Sequence, residues 1–140
     1  MKDLGMMHYF IGLEVWQYPD EMILDQGKYV AEILKIFGMI DCKAMTTPMT
    51  TSLNLLNDDT LEAVDATLYR QIISSLMYLT NTRPCICFVA NTLSQYMVNP
   101  KHIYLVGEKH VMRYLKGTLD YWPIYESSGE LKLHGYTDSD

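Results

Sequence analysis

The run His134-Gly135-Tyr136-Thr137-Asp138-Ser139-Asp140 carries two carboxylates at the end of a short apolar/polar alternation, Leu131 to Tyr136. That alternation predicts a β-strand, which would deliver Asp138 and Asp140 at its tip. Carboxylate oxygens in such a place suit two-metal phosphodiester chemistry. Hard cations such as Mg²⁺ take oxygen ligands, and a metal pair clamps the attacking and leaving oxygens of a displacement. A working site of that kind needs more carboxylates than these two, and the same residues also make an ordinary polar terminus.

A second group of chemistry-bearing residues lies at 101–116, where Lys101, Lys109, Arg113 and Lys116 stand against Glu108, with His102 and His110 among them. On a helix, Lys109, Arg113 and Lys116 fall at i, i+4 and i+7 and form one stripe. Such a stripe can follow a phosphate backbone through salt-sensitive contacts. It is equally the solvated face of an amphipathic helix. Arg70 and Arg83 sit near helix boundaries, free to reach phosphates or to pair with acids. His102 and His110 are too far apart round a helix to share a metal, and read as interhelical or surface residues. The tyrosines are candidate base-stacking platforms, but at helical spacing they read as core residues with a polar tip. No nucleophile–base arrangement and no glycine-rich phosphate loop is visible.

The elements that must position these groups follow from periodicity. Residues 7–16 are rich in aromatic and β-branched types, Tyr18-Pro19-Asp20-Glu21 supplies a turn, and Met22-Ile23-Leu24 makes a second strand. Gly12 is a flaw in the first strand unless a bulge or a close-packed backbone requires it. From Gln26 the period becomes helical through Tyr29, Ile33, Leu34, Ile36 and Phe37, with Gly38 as the stop. Residues 41–64 read as an irregular linker. Asp65 then caps a helix that ends at Asn81-Thr82-Arg83-Pro84. A second helix runs over 84–98, and a third from beyond Pro100 to about Lys116, with Gly117 as its stop. The class is α+β: an N-terminal hairpin, a helical bundle and a C-terminal strand or hairpin.

A chain of 140 residues suits one folded core, and the apolar and charged fractions of 49% and 20% are ordinary for a globular protein. Cys42, Cys85 and Cys87 are too few for a disulfide framework or a zinc site and read as reduced thiols. With no signal-peptide pattern at the N-terminus and no apolar stretch long enough for a bilayer, the expectation is a cytoplasmic or nuclear protein without a membrane partner. The net charge of −6 argues against a free-standing nucleic-acid binder.

Read in order, several runs resemble one family. They are Met1-Lys2-Asp3-Leu4-Gly5, His8 to Val15, Gln26-Gly27-Lys28-Tyr29, Thr47-Pro48-Met49, Tyr69 to Thr80 and Thr82-Arg83-Pro84, then Leu93 to Met97, Arg113 to Thr118 and Gly135 to Asp138. With this order and spacing, the whole chain resembles the C-terminal part of the copia-type LTR-retrotransposon reverse transcriptase, running into ribonuclease H, within a Pol polyprotein.

The resemblance implies three parts: a primer-grip-like hairpin at 1–25, a thumb and connection region at 26–118, and the start of a ribonuclease H-like domain at 119–140. It implies that Phe10, Gly12, Arg83, Lys109, Arg113 and Lys116 contact a primer–template or RNA–DNA hybrid. Asp138 would be the first ribonuclease H carboxylate and a metal ligand, and Asp140 a further metal candidate. Mg²⁺ would serve the parent enzyme, with none expected for this part. The polymerase's Tyr-x-Asp-Asp turn is absent, so the expectation is a chain inactive alone and dependent on the rest of the polyprotein. The alternatives are a domesticated, non-catalytic nucleic-acid binder or a decayed gene product. Departures from the family pattern include Cys85 and Cys87 after Thr82-Arg83-Pro84, where Asp-Ile-Ser is usual, and Trp122-Pro123 in place of Gly-Leu.

Overall fold

In the stretch expected to form one long strand, two short strands meet at a tight turn. The computed structural model describes residues 5–6, 8–49, 62–121 and 123–126, and its first strands are β1 (Tyr9–Phe10), β2 (Leu13–Gln17) and β3 (Glu21–Asp25). Phe10 pairs with Leu13, so Ile11 and Gly12 are the two central residues of a hairpin turn, with φ of 48° and 79°. Positive φ at both positions is the mark of the primed turns that match strand twist. The usual signal for such a turn is Asn-Gly or Asp-Gly, and Ile-Gly hides it. Ile11 is the residue under strain, because a β-branched side chain seldom occupies left-handed backbone. Ile11→Asn is therefore expected to raise stability by about 0.5–1 kcal/mol, and Gly12→Ala to lower it by about 1 kcal/mol. Paired thermal melts showing shifts of the same sign would refute this account of the turn.

The sheet is antiparallel throughout, in the order β1-β2-β3-β4. Its last strand, β4 (Ile124–Glu126), pairs with β3 through Glu21↔Glu126, Met22↔Tyr125 and Ile23↔Ile124. Residues from the segment assigned to a ribonuclease H-like start thus complete the N-terminal sheet. The strand expected at Leu131–Tyr136 lies outside the described residues, as do residues 50–61 of the expected linker.

Four helices form the body: α1 (Gly27–Ile36), α2 (Ala66–Leu79), α3 (Cys87–Ser94) and α4 (His102–Gly117). Local chemistry sets their ends. The Asp65 carboxylate accepts the Thr67 N–H at 2.8 Å, satisfying one orphan donor at the start of α2. Gly38, at φ 67°, stops α1. Pro84 opens a single 3₁₀ turn, Pro84–Ile86, that runs into α3, and α3 ends at Ser94 rather than near residue 98.

The core lies among the helices. Val30, Leu34, Tyr69, Leu76, Leu79, Ile86, Ala90, Tyr104, Val111 and Met112 are fully buried there. Each such aliphatic side chain contributes about 1.5–3 kcal/mol by leaving water. Tyr69 donates its hydroxyl to the Leu93 carbonyl at 2.8 Å, tying α2 to the end of α3. Tyr104 stacks on Tyr96 with ring centroids 3.8 Å apart. A bridge between Ala63 and Lys101 sets the segment before α2 beside the start of α4. Among the described residues, no helix is long and apolar enough to cross a membrane.

Candidate nucleic-acid interface

The six residues expected to contact nucleic acid lie in three places. Phe10 ends β1 and is 52% exposed, next to the exposed side chains of Tyr9 and Ile11. Beneath this tip, the Tyr78 hydroxyl of α2 donates to the Ile11 carbonyl, and Tyr78 meets Tyr29 of α1 edge to face at 5.0 Å. A Cβ on Gly12 would lie 3.5 Å from the Tyr78 hydroxyl and 3.7 Å from the Tyr29 ring, an ordinary contact distance. What calls for glycine here is the turn's positive φ beside two tyrosines. The anchored tip presents an aromatic and aliphatic edge, a surface suited to stacking or apolar contact.

Arg83 sits elsewhere. It lies between α2 and the Pro84 turn, is only 5% exposed, and donates from Nη1 to the Thr118 carbonyl at 2.5 Å, just past α4. Its Nε and Nη2 are buried without a partner, and burial holds the guanidinium below its usual pKa range. Arg83 is a brace between two helix ends and is turned away from the surface.

The α4 stripe is partly occupied by the protein's own backbone. Arg113 donates from Nε to the Lys43 carbonyl at 2.8 Å, and Lys116 donates to the Cys42 carbonyl at 2.7 Å. The His110 ring nitrogen is 2.9 Å from the Thr47 carbonyl, and the Met45 N–H donates to the Arg113 carbonyl at 3.1 Å. These bonds lay residues 42–47 along α4 as a strap. Gly117 lies against it, since a Cβ there would come within 3.1 Å of the Met45 carbonyl. Lys109 stays exposed and takes no part. The double change Arg113→Ala with Lys116→Ala is expected to cost about 1–2 kcal/mol and to speed tryptic cleavage after Lys43. An unchanged cleavage rate would mean that the strap is held by packing alone.

Arg70, Gln71, Ser74 and Ser75 line a groove of about 520 Å³ along the outer side of α2, with Ile36 and Phe37 of the α1 end also lining it. Arg70 reaches across to donate to the Met97 carbonyl at 3.1 Å. The sequence marked Arg70 as free to reach phosphate or acid, but gave no sign that hydroxyls and an amide would gather beside it. Nothing in a linear pattern distinguishes this polar groove from a solvated helix face.

Glu108 is the other residue whose role the sequence did not reveal. On α4 between Tyr104 and Met112, it is fully buried, and neither carboxylate oxygen has a hydrogen-bond partner. Desolvation pushes its pKa up to about 9, so the side chain is protonated at neutral pH. Among the described residues, no three His, Cys, Asp or Glu side chains come together as a metal site. Asp138 and Asp140 lie outside the described residues. Cys42, Cys85 and Cys87 are free thiols.

Comparison with known proteins places these features in a context. An uncharacterized mitochondrial protein of Arabidopsis thaliana, AtMg00810, is 38% identical over 140 residues, covering the whole chain and 58% of that protein. The retrovirus-related Pol polyprotein from transposon RE1 of the same plant is also 38% identical over the whole chain, which corresponds to 10% of the polyprotein. The counterpart from transposon TNT 1-94 of Nicotiana tabacum is 30% identical over 149 residues, again spanning the whole chain and 11% of the polyprotein. The chain therefore spans a little over half of the first of these relatives and about a tenth of the polyproteins. No family model and no solved structure matches it.

Proposed function

Because the chain is homologous over its full length to retrovirus-related Pol polyproteins of transposons, we propose that it is the part of a retrotransposon RNA-directed DNA polymerase/ribonuclease H that holds the primer–template, and that it is inactive alone. The observation that carries this reading is the unbroken match to polyproteins some ten times as long, combined with the order of the runs that resemble a reverse transcriptase. In this reading the anchored tip at Phe10 and Gly12 meets the primer strand, and Lys109 meets phosphate. Arg113 and Lys116 contribute by fixing the strap along α4, and Arg83 by bracing the bundle. Mg²⁺ and the polymerase carboxylates belong to the rest of the polyprotein, and Asp138 and Asp140 to a ribonuclease H site completed by other residues.

Fluorescence anisotropy of a labelled RNA–DNA hybrid over a salt series tests the binding half. The expected result is an affinity that falls with salt and weakens about 3–10-fold in Lys109→Glu, through loss of one phosphate contact. Absence of binding at low salt would overturn it. Primer extension with Mg²⁺ and dNTPs tests the other half, and robust synthesis by this chain would sink the claim of inactivity.

A further inference from the structure

The open face of the sheet carries a charge pattern that the hybrid-holding role does not use. Trp16, Ile23 and Ile124 lie side by side across β2, β3 and β4, and Trp16 and Ile124 are each 53% exposed. Two positions along the strands on one side, Glu14 stands opposite Asp25; two positions along on the other, Glu21 stands opposite Glu126. By the alternation of strand side chains, all three rows share one face. Trp16 and Ile23, together with Glu14, Asp25 and Tyr18, line a shallow concavity of about 340 Å³.

Like charges directly opposite each other weaken a sheet. Glu14 is offset by Lys28 at 2.5 Å, and Asp25 accepts the Gly27 N–H at 2.8 Å, so this row already has its partners. For the Glu21–Glu126 pair, no basic partner is present among the described residues. A pattern that is locally unfavourable and surrounds an exposed aromatic row is the kind of conflict that marks a binding face. Phosphate is excluded as the ligand by sign, and so is a second copy of the same acidic face.

We propose that this face docks a cationic polypeptide segment: extended chain with an apolar side chain seated on the Trp16–Ile23–Ile124 row and a Lys or Arg two positions along it, against Glu21 and Glu126. The spacing fits. The apolar row and the Glu21–Glu126 pair are two residues apart along a strand, roughly 7 Å, which an extended segment spans between positions i and i+2. The polyprotein relatives are about ten times the length of the matched region and so carry abundant chain beyond it. The proposal goes beyond the hybrid-holding role and does not depend on it.

The probe is a labelled synthetic peptide of sequence Lys-Thr-Leu-Thr-Lys-Thr-Leu-Thr-Lys, titrated with the full chain by anisotropy. Saturable binding is expected, weakened at least ~10-fold by Glu21→Lys and by Trp16→Ala, as for removal of a central anchor or a facing charge. Glu21→Lys is also expected to raise the melting temperature, since it turns the repulsive pair with Glu126 into an attractive one. Loss of binding with a raised melting temperature cannot be mistaken for unfolding. The proposal is overturned if no saturable binding occurs, or if Glu21→Lys binds the peptide as well as the parent chain does. Failure of the hybrid to bind anywhere would leave this result untouched.

Discussion

Replacing Glu108 with glutamine is expected to leave the protein little changed near pH 4 and increasingly more stable than the parent chain as pH rises toward 9. The carboxyl group is fully buried on α4, has no hydrogen-bond donor at either oxygen, and is held protonated by desolvation. Its folded-state pKa of about 9 stands above its ordinary value of 4.5. Below 4.5 the folded and unfolded chains both carry the proton, and the group adds no pH dependence. Between the two values the folded chain holds a proton that the unfolded chain has released. Stability then drains away as pH rises, by up to about 1.4 kcal/mol per pH unit. Glutamine cannot ionise, so the difference between variant and parent isolates this one group from the opposing behaviour of the exposed carboxylates. Urea titrations of both proteins at several pH values give that difference. Parallel pH profiles would show that Glu108 is solvated or paired in solution, and would sink the argument. Glu108→Met, which also removes the unpaired polar atoms, is expected to be the more stable of the two variants at every pH.

The sequence made the helical body legible because its signals are local. Asp65 caps α2, Pro84 opens the turn into α3, Gly38 closes α1, and the apolar positions of α2 recur at helical spacing. Each is decided within a few residues, where propensity and capping act. What stayed hidden depends on distant parts of the chain. The turn at Ile11-Gly12 was concealed by an isoleucine in a backbone region that β-branched residues avoid, and Tyr78, far along the chain, anchors that turn from below. The pairing of β4 with β3 joins residues a hundred positions apart, which no strand pattern announces.

The candidate site was legible by residue type but not by environment. Arg113 and Lys116 do lie on one helix face, yet carbonyls of the strap already meet them. A carbonyl and a phosphate oxygen ask the same thing of a cation, so the sequence pattern could not say which of the two it serves. The acid rows of the sheet were equally silent, because their meaning arises only when Glu21 and Glu126 are set side by side.

Arg83 gives the sharpest separation between these readings. An arginine that contacts phosphate at a surface contributes to binding and little to stability. An arginine that is 5% exposed and bonded to a helix-end carbonyl does the reverse. Arg83→Ala removes a charge-assisted hydrogen bond worth about 1.5–3 kcal/mol and leaves the Thr118 carbonyl without its donor. It also deletes the methylene stem packed between the helix ends. The expected loss of stability is about 2–4 kcal/mol, a large share of what a single domain has. Arg83→Met restores the stem but not the donor, and is expected to recover part of that loss because two of the buried guanidinium nitrogens were unpaired to begin with. Denaturant melts of the three proteins measure the stability terms, and anisotropy with an RNA–DNA hybrid, corrected for the folded fraction, measures the other. A stable Arg83→Ala protein that had lost hybrid affinity would return Arg83 to the nucleic-acid interface. A weakened protein with unchanged affinity would place its work inside the bundle, holding the end of α4 against the α2–α3 junction so that Lys109 and the strap keep their positions.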